Sequence, residues 1–112
     1  MNTSGFIRGM MSKSMESEKF FIHVATCIEQ ELQEWDPDFK VMVMKLKNYE
    51  LFVTGKQDSL QFTIAETEIN NLQQRGPYAL DRKIWRELEQ QGLQIIRGSG
   101  NYLGYVFMEK KE

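Results

Sequence analysis

FKVMVMKLKNYELFVTGKQDSLQFTI, residues 39–64, is three β-rich apolar runs in close succession, at 39–46, 49–54 and 60–64. Only Lys47 and Asn48 separate the first two, the length of a two-residue hairpin loop. Such a loop sets Leu46 opposite Tyr49, Lys45 opposite Glu50 and Met44 opposite Leu51, which places one pair of opposite charges across the strands. Side chains alternate along a strand, so Met42, Met44, Leu46, Tyr49, Leu51 and Val53 share a face that Leu60, Phe62 and Ile64 extend from a third strand. That face reads as the core. The opposite face carries Val41, Val43 and Phe52 beside Lys45, Glu50 and Thr54, which is too apolar to stand in water, and a partner is expected to cover it.

Upstream, Phe21, Val24, Ala25, Ile28, Leu32 and Trp35 recur at three- and four-residue intervals and predict an amphipathic helix over 15–35, capped by Ser14 or Ser17 and stopped by Asp36-Pro37. It should lie on the Met42, Met44, Leu51, Phe62 face. Residues 1–13 show no sustained periodicity and read as a flexible tail. Downstream, Thr63 or Thr67 is placed to cap a short helix ending near 74, with Ile69 and Leu72 inward. Leu80, Ile84, Trp85 and Leu88 mark another helix over 77–91, closed by Gly92 and Leu93. Residues 93–97 and 102–108 then read as a hairpin about Gly98-Ser99-Gly100-Asn101, and 110–112 as a solvated end. The expected fold is a single α+β domain over 14–109 with the order α-β-β-β-α-α-β-β.

In its order of elements the chain resembles the type III secretion chaperones. That resemblance implies a small acidic dimer that holds a segment of another protein.

A net charge of −2 and a pI near 5.5 leave no overall basic excess for nucleic acid, so any such role needs a local patch. One cysteine, Cys27, excludes an intramolecular disulfide, and no apolar run is long enough to span a bilayer. The expectation is a cytoplasmic protein without a membrane partner.

Chemistry needs polar groups brought together, and the scarce ones are His23 and Cys27, four residues apart on one helix with Glu34 near the same arc. Without a second Cys or His, neither a zinc site nor a catalytic dyad is expected there. The glycines at 98, 100 and 104 miss the spacing of a phosphate-covering loop by one residue, so no cofactor is expected. Asp36/Asp38 and Glu66/Glu68 fall at element ends, where carboxylates cap or stay solvated. No residue is assigned to catalysis or to metal binding.

Two binding readings follow. The leading one is a non-enzymatic protein-binding or regulatory module that self-associates through the sheet, using Val41, Val43 and Phe52, with Tyr105 adding apolar surface. The alternative is a winged-helix-like DNA-binding regulator built from 67–108. There Arg82, Lys83 and Arg86 face away from the apolar stripe of the 77–91 helix, flanked by Arg75 and Arg97, and the hairpin is the wing.

Overall fold

The structure, a computed structural model, describes residues 5–96 and 102–107. Its elements are α1 (Gly5–Ser14), α2 (Ser17–Trp35), β1 (Lys40–Lys45), β2 (Tyr49–Thr54), β3 (Ser59–Ile64), α3 (Glu66–Arg75), α4 (Ala79–Gln90) and α5 (Tyr102–Phe107). The three strands form one antiparallel sheet in the order β1-β2-β3. Tyr49, Leu51, Val53, Leu60, Phe62 and Ile64 are buried on one face, against a helical layer that includes Phe21, Ile28, Leu32, Leu80, Ile84 and Trp85. Phe21 packs on Tyr49 with ring centroids 5.5 Å apart, and Trp35 on Trp85 at 5.7 Å.

The register of β1 differs by one residue from the sequence expectation. Lys45 pairs with Tyr49, Val43 with Leu51 and Val41 with Val53, so the loop is Leu46-Lys47-Asn48 rather than Lys47-Asn48. The reason lies in the backbone. Two-residue hairpin loops need positive φ at one or both central positions, and no non-glycine residue among those described adopts it. Adding Leu46 to the loop removes that requirement, and the Leu46 N–H donates to the Asn48 carbonyl at 2.9 Å. A one-residue slip exchanges the faces of a strand. Val41 and Val43 therefore turn inward and pack against the core, while Met42 and Met44 turn outward at 61% and 41% exposed. Helix α2 accordingly lies over the face that carries Leu51 and Phe62, and Met42 and Met44 are absent from that contact.

Gly5–Ser14 is helical where the sequence suggested a tail. Its pattern is inverted: Phe6, Ile7 and Met10 face solvent while Arg8 and Ser12 are buried, so a search for apolar periodicity passes over it. The C-terminal hairpin is also corrected. Residues 93–96 form no strand and Tyr102–Phe107 is a helix, with Tyr102, Leu103 and Val106 buried at helical spacing. A short apolar run does not distinguish strand from helix by pattern. Arg97, residues 98–101 and Met108 lie outside the described residues. Without the hairpin, the order that carried the chaperone resemblance no longer holds.

Helix ends follow sequence chemistry in part. Glu16 precedes α2 and Ala65 precedes α3, neither making a side-chain cap, so the serine and threonine caps expected there are not used. At the end of α4, Gly92 has φ of 114°, the Gly92 N–H donates to the Glu89 carbonyl and the Leu93 N–H to Leu88, and Leu93 is buried. That is a Schellman motif with its hydrophobic contact.

Candidate functional site

Three places on the molecule hold unusual chemistry. The first is buried. Arg8 and Asp81 are both 0% exposed, and Arg8 donates from Nη1 to Asp81 Oδ1 at 2.6 Å and from Nη2 to Oδ2 at 2.8 Å. Nη1 also donates to the Pro77 carbonyl at 2.9 Å, and the guanidinium lies 4.7 Å from the Tyr78 ring centroid. The Tyr102 hydroxyl donates to Asp81, and Trp85 Nε1 donates to that hydroxyl at 3.2 Å. A bidentate pair of this kind ties α1 to α4, and Tyr102 ties α5 to the same carboxylate. Burial alone would lower the Arg8 pKa, but the Asp81 carboxylate outweighs it and holds the guanidinium charged. Burial, then the negative charge of Asp81, drives the Tyr102 hydroxyl well above its ordinary value.

Sequence reasoning missed this cluster, although half of it left a signal. At about 100° per residue, Asp81 falls between Leu88 and Trp85, in the middle of the apolar stripe of α4. An acidic residue there must be paired or neutral. Nothing local marked Arg8 as its partner.

His23 and Cys27 are brought together beside this cluster, with Cys27 Sγ 3.6 Å from His23 Nε2 and Arg8 Nη2 donating to the same sulfur at 3.5 Å. Burial raises the Cys27 thiol pKa, and burial followed by the charge of Arg8 lowers that of His23. A neutral thiol under a helix is the reverse of an activated nucleophile. No three His, Cys, Asp or Glu side chains among the described residues stand close enough to hold a metal ion.

The second place is the outer face of the sheet. Phe52, half-buried, pairs across the strands with Met42, and Met44 follows on the same face, while Leu46 at the hairpin tip is 60% exposed. The four residues expected to form one partner surface are thus divided. Phe52 faces out, Val41 and Val43 face the core, and Tyr105 on α5 stacks on Tyr78 at 5.7 Å. Both sheet edges carry a side-chain cover. Glu29 accepts from the Val41 N–H at 3.0 Å beside β1, and the Gln91 amide both accepts from and donates to the Gln61 backbone beside β3. These contacts occupy part of each edge, which makes strand addition there less favourable.

The third is a groove between α3 and α4 of about 340 Å³, lined by Leu72, Arg75, Ala79, Arg82, Lys83 and Arg86 among others. It gathers the described basic residues singled out from the sequence. Arg82 Nε donates to the Val106 carbonyl at 2.8 Å, and Lys83 Nζ lies 3.4 Å from Glu68 Oε2. The wing expected to accompany them is replaced by α5.

Among the described residues, no helix is long and apolar enough to cross a membrane. Comparison of the chain with protein-family models, curated proteins and solved structures finds no match.

Proposed function

We propose that this chain is a non-enzymatic binding module that associates with a second copy of itself, face to face, through the outer side of the sheet. The observation that carries the reading is the strip of Met42, Met44 and Phe52 on the sheet face opposite the core, continued by Leu46. Methionine and phenylalanine suit an adaptable contact, and an exposed apolar strip rimmed by Lys40, Glu50 and Gln61 has the composition of a small interface. The covered edges favour packing of the face over extension of the sheet.

Size sets the strength. Three strands about 4.8 Å apart and six residues long at about 3.4 Å each give a footprint of roughly 300 Å². A standard interface buries about 800 Å² on each partner, so this contact falls in the size class of small, transient interfaces. Sedimentation velocity over a concentration series tests it. The weight-average coefficient of the wild type should rise with concentration, and Met42→Lys should hold it at the monomer value. A wild type that stays monomeric throughout defeats the reading.

A further inference from the structure

The groove between α3 and α4 points to a second site, independent of the sheet. Its lining holds four basic side chains and the carboxylate of Glu87, and with Glu68 paired to Lys83 the groove still keeps a positive excess, in a chain whose net charge is −2. Concave walls concentrate the field of such a cluster, which then attracts anions from solution. Two of the cations are already oriented by the protein. Arg82 is anchored through Nε to the Val106 carbonyl, an arrangement that commits one N–H and leaves the terminal nitrogens of the fork to face other groups. Lys83 is steadied by Glu68 across the groove. The floor is apolar: Leu72 and Ala79 are 5% and 7% exposed.

Volume and chemistry together select a ligand class. A groove of about 340 Å³ is at the lower end of small-molecule sites and far short of a duplex-binding surface. Arginine forks match tetrahedral oxyanions, and a phosphate monoester carries about −1.5 to −2 charges near neutral pH. The apolar floor and the guanidinium planes suit a flat ring. We propose that this groove binds a phosphorylated small molecule of mononucleotide size, its phosphate held by Arg75, Arg82 and Lys83 and its ring lying over Leu72 and Ala79. The winged-helix reading used the same residues for DNA. It also required a hairpin where α5 stands, and a long row of phosphate contacts that this groove is too short to offer.

The test is titration of the isotopically labelled full chain, followed by amide shifts, with three probes: adenosine 5′-monophosphate, inorganic phosphate and a short DNA duplex. Saturable shifts confined to α3 and α4 with the nucleotide, weakened about tenfold or more by Arg75→Gln and by Lys83→Gln while the remaining spectrum is unchanged, support the proposal. Two single variants at exposed or half-exposed positions guard against loss of fold in either. Absence of saturable shifts with the nucleotide overturns it, as do shifts centred elsewhere. Phosphate binding as tightly as the nucleotide rejects the ring contact and with it the ligand class. Duplex binding in the groove without nucleotide binding replaces the proposal with a nucleic-acid surface.

Discussion

The cluster beneath α1 and the outer face of the sheet hold opposite chemistry in opposite places. Arg8 and Asp81 are charged and completely enclosed, whereas Met42 is apolar and 61% exposed. Buried polar groups and exposed apolar strips are the informative departures from the ordinary division of inside and outside. In the first region, every contact is internal: three helices and a backbone carbonyl meet at one carboxylate–guanidinium pair, so its consequence is the docking of α1 and α5 on α4. In the second, internal contacts are few, and any consequence has to come from another molecule. Stability experiments should therefore register the first region and association experiments the second.

The largest effect is expected from splitting the buried pair. Arg8→Ala leaves Asp81 enclosed without its cation and should cost about 3–5 kcal/mol in urea unfolding. Arg8→Met combined with Asp81→Leu should recover most of that loss, because two apolar side chains leave no buried charge behind. A single-variant loss below about 1 kcal/mol would mean that α1 is not held as described.

Next is the register. Leu51→Ala should cost about 2–5 kcal/mol, and Met42→Ala should stay within about 0.5 kcal/mol of the wild type. Equal costs at the two positions would restore the two-residue loop and bring Met42 back into the core.

A smaller, pH-dependent effect belongs to the tyrosines. An unfolded tyrosine loses its proton near 10, whereas burial pushes Tyr78 up to about 12 and holds Tyr102 well above the ordinary value. In that window the unfolded chain binds fewer protons than the folded one, so stability falls as pH rises above about 10. Urea midpoints on either side of about pH 10 should show the decline, and Tyr102→Phe, at a cost of about 1–2 kcal/mol at neutral pH, should make it shallower.

Much of the fold was legible in the sequence for a definite reason: where apolar periodicity and turn chemistry agree, as at Phe21 to Trp35, at Tyr49 to Ile64 and at Gly92, the elements appear as expected. What escaped was set by backbone strain or by long-range pairing. The placement of Leu46 turned on φ values that Lys47 and Asn48 would have had to adopt, and with it went the facing of every side chain in β1. Arg8 stood in a stretch where Phe6, Ile7 and Met10 point outward, and the carboxylate that balances its buried charge, Asp81, is 73 positions away. Tyr102 to Phe107 had too short a pattern to separate strand from helix. Of the candidate surfaces, the basic groove followed from the arc of α4, but Val41, Val43 and Phe52 were grouped by a register the loop does not allow.

The smallest structural effect accompanies the central functional claim, that the outer sheet face meets a second copy of the chain. Methyl spectra of the methionines, recorded from dilute to concentrated protein, test it directly, because the chain has a competing apolar surface at Phe6, Ile7 and Met10 on α1. The Met42 and Met44 methyl signals should move with concentration along a single binding curve, while Met10 and the partly buried Met11 and Met15 stay fixed. Stationary Met42 and Met44 signals, or movement of Met10 in their place, would contradict the account.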